Sequence, residues 1–69
     1  MQALSQAVPG NYTIKWMFGI PEVLDMIRQY KINEGSEITV IQNYGSGLII
    51  RHGEKRIAIS SDAATRIQV

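Results

Sequence analysis

Three short runs of branched apolar residues, at positions 38–41, 48–50 and 57–59, give this chain its strongest pattern. The segments between them are short and contain Gly45, Gly47 and Gly53. Connections of this kind favour antiparallel hairpins over crossovers. The pattern therefore predicts a three-stranded meander with one apolar face that the rest of the chain must cover. The side chains predicted on that inner face are Ile38, Val40, Leu48, Ile50, Ile57 and Ile59, with Ile41 and Ile49 facing outward or lying at a rim.

Residues 11–18 predict one further strand ahead of the meander. Tyr12, Ile14 and Trp16 alternate with polar residues, which is the period of a strand with one face on a core and one in water. The alternation breaks at Met17 and Phe18, so we expect the strand to bend or end before Gly19. At the other end of the chain, residues 67–69 predict a short last strand.

One helix is predicted, over residues 21–31. Pro21 suits the first helical position, where its missing N–H costs nothing. The apolar residues that recur at three- and four-residue spacing to form one stripe are Val23, Leu24, Ile27 and Tyr30. We also predict a single helical turn near residues 1–7, and another over residues 61–65 with Ser61 or Asp62 as the capping residue.

These elements predict a mainly β fold in one domain, residues 1–69. About five short strands with one helix after the first strand would best hide their edges as a small, partly open β-barrel. The chain contains no cysteine, which excludes disulfides and favours a reducing compartment. The longest apolar run, residues 16–20, is far too short to span a membrane. We therefore expect a cytoplasmic location and no membrane insertion.

The polar residues form no catalytic or metal-binding pattern. His52 is the single histidine and sits at a predicted hairpin end, where a solvated turn residue is the simpler interpretation. The glycine-rich segment at residues 45–47 precedes a strand, whereas a phosphate cradle precedes a helix. The formal charge of +1 is too balanced to support nucleic-acid binding by electrostatics alone. We expect no cofactor, no metal and no enzymatic activity.

The apolar residues exceed what so small a core can hold. Met17, Phe18, Met26, Tyr30 and Tyr44 are hard to bury all at once. They either fill the core ends and the seam between helix and sheet, or some of them form an apolar patch for a protein partner or a second copy of the chain.

The ordered series of motifs from Leu4 to Val69 resembles the FeoA family, small cytoplasmic proteins of bacterial ferrous iron uptake. The segments that carry the resemblance are Leu4, Val8-Pro9-Gly10, Tyr12-Thr13-Ile14, the helix end 27–32, Glu34-Gly35-Ser36-Glu37-Ile38-Thr39-Val40, Gly47-Leu48-Ile49-Ile50-Arg51, Arg56-Ile57-Ala58-Ile59, Ala64, Ile67 and Val69. The chain departs from the family pattern in placing Lys31 where a glycine is usual, Glu34 where a proline is usual, and Ser60 where basic residues are common.

The resemblance implies an SH3-like β-barrel that acts as an accessory or regulatory partner of FeoB, a membrane iron transporter with a cytoplasmic GTPase domain. As the partner-binding residues we predict Met26, Tyr30, Ile41 and Tyr44, with Arg28 at the rim. An alternative is nucleic-acid association, since FeoA-like domains also occur in metal-dependent transcriptional repressors. A third hypothesis, an enzyme or metal carrier, lacks the ligands and bases it would need.

Overall fold

The computed structural model describes residues 1–69 as two antiparallel sheets, two short helices and a 3₁₀ turn. The elements in chain order are the 3₁₀ turn Leu4–Gln6, β1 (Gly10–Thr13), β2 (Trp16–Met17), α1 (Pro21–Arg28), β3 (Glu37–Asn43), β4 (Gly47–His52), β5 (Lys55–Ser60), α2 (Ser61–Ala64) and β6 (Ile67–Gln68). The larger sheet has the strand order β1-β3-β4-β5, and the smaller one pairs β2 with β6. The mainly β prediction is therefore confirmed, with two antiparallel sheets and no closed barrel.

The predicted meander is confirmed as β3, β4 and β5. Its cross-strand pairs include Leu48 with Ile59 and Ile50 with Ile57. All six residues predicted on the inner face are buried. Ile41 lies where the β3–β4 register shifts between Val40 and Gln42, and it is partly buried, as is Ile49. The meander supplies much of a core whose 16 buried residues are all apolar.

The single strand predicted over residues 11–18 is wrong: the segment forms two strands in different sheets. The backbone N–H of Ile14 donates to Ser36 O at 2.9 Å, alongside β3, whereas the N–H of Lys15 donates to Gln68 O at 2.8 Å, in β6. The side-chain alternation slips at this change of partner. Ile14 and Met17 are buried, and Trp16, which the alternation predicted inward, is 52% exposed.

The helix also differs from its prediction in extent and place. It follows the second strand, β2, and it ends at Arg28, before the predicted Lys31. Two tight backbone bonds then close the turn, from Tyr30 N–H to Ile27 O at 3.2 Å and from Lys31 N–H to Arg28 O at 2.8 Å. Lys31 adopts φ of 62°, the left-handed conformation that ends many helices and that glycine adopts most easily.

Side-chain hydrogen bonds stabilise the segments near both ends of the chain. The cap of α2 is Ser60, whose hydroxyl accepts from Ala63 N–H at 3.2 Å, and not Ser61 or Asp62 as predicted. Asn43, at the end of β3, donates through Nδ2 to Ser5 O at 2.9 Å and to Ala7 O at 3.0 Å. This amide therefore fastens the N-terminal 3₁₀ turn to the β3–β4 hairpin.

Replacing Lys31 by glycine should stabilise the protein. The left-handed conformation costs a residue with a Cβ about 1–2 kcal/mol and costs glycine nothing. Glycine also gives the unfolded chain more conformational entropy, which offsets part of this stabilisation. We expect Lys31→Gly to raise the free energy of unfolding by about 1 kcal/mol, measured by urea denaturation. Lys31→Ala is the matched control and should change it by less than about 0.5 kcal/mol. Equal effects of the two variants would show that the conformation at residue 31 is not strained.

Removing the Asn43 amide should loosen the N-terminal segment. Asn43→Ala leaves two carbonyl groups without their donor and Gly45 N–H without its acceptor, so we expect a loss of about 2 kcal/mol in the free energy of unfolding. The control is Asn11→Ala, which removes one exposed side-chain bond, from the Thr39 hydroxyl to Asn11 Oδ1 at 2.7 Å, and should cost about 0.5 kcal/mol. Hydrogen exchange at Ala7 N–H, which donates to Leu4 O, should accelerate in Asn43→Ala and stay unchanged in the control.

Candidate functional site

Strand β5 forms one edge of the larger sheet, so one side of its backbone has no strand partner. The β4–β5 hairpin turns through Gly53 and Glu54, and His52 pairs with Lys55 across that turn. A two-residue turn closes on a hydrogen-bonded pair, and such pairs alternate with non-bonded ones along an antiparallel ladder. The N–H and C=O groups of Ile57 and Ile59 therefore point to β4, and those of Arg56 and Ala58 point away from the sheet.

An apolar groove runs between this open edge and the C-terminal half of α1. It encloses about 140 Å³, and seven of its eight lining residues are hydrophobic. Its lining comprises Met26, Ile27, Tyr30, Ile32, Ile57, Ala58, Ile59 and Ser60. Met26 and Tyr30 form its outer wall and are 43% and 41% exposed. A groove of this kind offers apolar contact directly beside unpaired backbone groups.

A second, shallower depression lies on the other side of β5, beneath the β3–β4 turn. It has a volume of about 330 Å³ and includes Tyr44, together with the same Ala58, Ile59 and Ser60 that line the groove. The Tyr44 ring is 62% exposed, and its hydroxyl donates to Gln42 Oε1 at 3.1 Å. Apolar surface thus flanks the C-terminal half of β5 on both sides. We call this surface, with its groove and depression, the β5-edge surface.

The structure brings together two of the five residues predicted to bind a partner and places a third on the other side of β5. Met26 and Tyr30 line the groove, and Tyr44 lines the depression. Arg28 lines neither; its Nη2 lies 3.8 Å from Glu34 Oε1 in an exposed ion pair, a type of contact worth about 0–1 kcal/mol. Ile41 is partly buried at the irregularity in β3 and also lines neither feature.

The sequence pattern missed Ala58 and Ser60. Ala58 looks like an ordinary outward-facing residue in an alternating strand, and its importance follows from the strand order, which leaves β5 at an edge. A basic residue or a proline there would have blunted the edge, as edge strands commonly require. A small apolar residue at this outward position was the one feature of the sequence that could have indicated an unprotected strand edge.

The remaining surface features are polar. A further depression, about 490 Å³, is lined mainly by polar residues of β1 and β3 with Arg51 of β4. His52 Nδ1 lies 3.2 Å from Glu37 O. No three His, Asp or Glu side chains lie close enough together to hold a metal ion. None of the helices has both the length and the apolar character required to cross a bilayer.

The fold and the β5-edge surface define a small mainly β domain whose most distinctive surface is an apolar groove beside an open strand. The family model that describes the FeoA domain matches residues 3–69. The chain belongs to the FeoA domain family, which is linked to iron uptake, and the resemblance seen in the sequence is confirmed.

Solved structures show the same fold. An iron uptake regulatory protein, FeoA, superposes with a TM-score of 0.86 and 25% identity, over 94% of this chain and 89% of the other. A FeoA-like protein from Clostridium acetobutylicum has a TM-score of 0.75 and 18% identity, over 96% and 80% of the two chains. The manganese regulator SloR has a TM-score of 0.83 and 17% identity, over 96% of this chain and 32% of its own. A comparison with curated protein sequences finds no match.

Proposed function

We propose that this protein is a non-enzymatic accessory or regulatory protein of bacterial ferrous iron uptake, and that it binds the cytoplasmic part of the FeoB membrane transporter. Membership of the FeoA family supports the association with iron uptake. The observation that carries the binding role is the apolar groove between α1 and the open edge of β5. In this proposal the protein works in the cytoplasm, and no cofactor takes part.

The proposed mode of binding is strand addition. An extended segment of the transporter pairs with the outward N–H and C=O groups of Arg56 and Ala58, and every second side chain of that segment reaches the groove. Met26 and Tyr30 receive an apolar side chain there, because methionine adapts its shape and tyrosine combines an apolar ring with a polar tip. Backbone pairing supplies affinity, and the groove supplies selectivity.

We also propose that the two sheets correspond to the halves of an SH3-like, partly open barrel. This proposal is supported by the hydrogen bonds of Ile14 and Lys15. The N–H of Ile14 donates to the carbonyl of Ser36, just before β3, and the next N–H, that of Lys15, donates to the carbonyl of Gln68 in β6. One continuous chain segment thereby borders both sheets. An open barrel of this kind keeps β5 free for a partner, whereas full closure would pair it.

The nucleic-acid alternative gains no specific support. The manganese regulator SloR and a manganese-dependent transcriptional repressor share the fold at 16–17% identity, and the match covers 32–39% of their chains. Likeness at that level concerns the fold alone. The nucleic-acid hypothesis remains a prediction that a salt titration with duplex DNA can test.

Blocking the β5 edge should abolish binding to the transporter while leaving the domain folded. In Ala58→Pro the lost N–H is one that points away from β4, and proline is tolerated at such edge positions. We expect at least a tenfold loss of affinity for the purified cytoplasmic domain of FeoB from the same genome, measured by calorimetry. Tyr30→Ala should lose a similar amount by opening the groove wall.

The matched control is Thr13→Pro, which removes an outward N–H from β1, the opposite edge of the same sheet. This variant should bind normally. Because proline can perturb folding, Ala58→Lys provides a second block, and circular dichroism checks all variants. The proposed mode of binding would be contradicted if both Ala58 variants bound with unchanged affinity, or if Thr13→Pro lost as much affinity as they do.

A further inference from the structure

A second apolar surface lies at the exit of β2, away from the residues of the β5-edge surface. Trp16, Phe18 and Ile20 are 52%, 37% and 56% exposed. The two rings stack with their centroids 5.0 Å apart and their planes 27° apart. The stacked rings of Trp16 and Phe18 make a contiguous apolar patch, and patches of that kind mark interaction sites more often than scattered single residues do.

The cation beside this patch is Arg66, which is opposite Phe18 across the smaller sheet: Phe18 N–H donates to Arg66 O at 2.9 Å. The Arg66 side chain runs directly over Gly19, because a Cβ added at Gly19 would lie 2.6 Å from Arg66 Cδ and 3.0 Å from Nε. With φ of 136°, Gly19 has a backbone conformation that residues with a side chain rarely adopt, and a side chain there would displace Arg66. The absence of a side chain at Gly19 leaves room for the Arg66 side chain next to the strand that carries the two rings.

The charge of Arg66 is uncompensated within the protein. Its Nε atom is buried and has no hydrogen-bond partner. The ion pair that the structure contains joins Arg28 to Glu34, and Asp62, four residues before Arg66, makes no such contact with it. Withdrawing a guanidinium from water without an acceptor costs free energy. The exposed end of the guanidinium is free to form a charge-assisted hydrogen bond with a carboxylate supplied from outside.

We propose that Trp16, Phe18 and Arg66 form a docking site for an acidic segment of a partner protein. A carboxylate of that segment pairs with the exposed end of the Arg66 guanidinium, and a neighbouring apolar side chain packs on the two rings. This site shares no residue with the β5-edge surface and does not depend on the transporter as partner. The domain then carries two separate docking surfaces.

A protein segment fits this surface better than an anionic membrane does. Binding to anionic lipid requires a cluster of several basic residues, commonly four to eight. Here the fixed cation is a single arginine, and Glu22 follows Ile20 closely at the start of α1, where it would repel lipid phosphates. One fixed guanidinium beside stacked rings instead suits one carboxylate with one apolar neighbour.

Trp16 is the only tryptophan in the chain, so its fluorescence reports on this site directly. The probe is an end-capped heptapeptide in which glutamates flank a central phenylalanine and leucine; the control peptide has glutamine in place of each glutamate. We expect saturable changes in Trp16 emission with the acidic peptide and at least tenfold weaker binding of the glutamine peptide. Raising the salt concentration should weaken the acidic peptide alone.

Arg66→Gln should weaken the acidic peptide at least tenfold and leave the glutamine peptide unchanged. Arg51→Gln, at an exposed position of β4, is the matched control and should bind as the unmodified protein does. Arg66→Lys keeps the charge and should lose less, which guards against a folding defect in Arg66→Gln. Equal binding of the two peptides, or equal effects of the two glutamine variants, overturns the proposal. So does an emission change with phosphatidylglycerol vesicles and none with the acidic peptide.

Discussion

The change of hydrogen-bonding partner between Ile14 and Lys15 is the constraint on which the rest of the structure depends. Their backbone N–H groups point in opposite directions, one to Ser36 beside β3 and the next to Gln68 in β6. The same few residues therefore anchor both sheets around one core. The slip in alternation that accompanies the change buries Met17 and turns Trp16 outward. Core closure and the exposed aromatic patch are thus consequences of one local event.

Local patterns predicted the elements whose partners are adjacent in the chain. The meander follows from period-two alternation and glycine turns, and the hairpin connections fix its register. The split of residues 11–18 could not be predicted in this way, because β2 is defined by its pairing with β6 at the far end of the chain. An alternating run shows that a segment is extended, and it does not show how many sheets the segment serves. The end of α1 was missed because Lys31 stands at a left-handed position without the usual glycine signal.

The candidate site was predicted in part for a similar reason. A count of apolar residues against the available core identifies Met26, Tyr30 and Tyr44 as surplus, and these residues do lie beside β5. Ala58 could not be identified from the sequence because its position at a sheet edge depends on the strand order. Arg66 could not be identified because the lack of an acceptor for its Nε appears only in the folded structure. Arg28 was assigned to the rim for its charge, and its contact with Glu34 gives that charge an ordinary local partner.

In the two proposals, the docking surfaces select their partners by different interactions. At the β5 edge, recognition depends on backbone pairing and apolar contact, which salt leaves nearly unchanged and which temperature affects through the heat capacity of apolar burial. At Arg66, recognition depends on a partly desolvated charge, which salt screens where it is exposed and which any carboxylate of suitable reach can satisfy. Occupying one surface need not alter the other, since they share no residue. If both proposals hold, the domain can bind two segments at once, and the salt dependence of each association identifies which surface is in use.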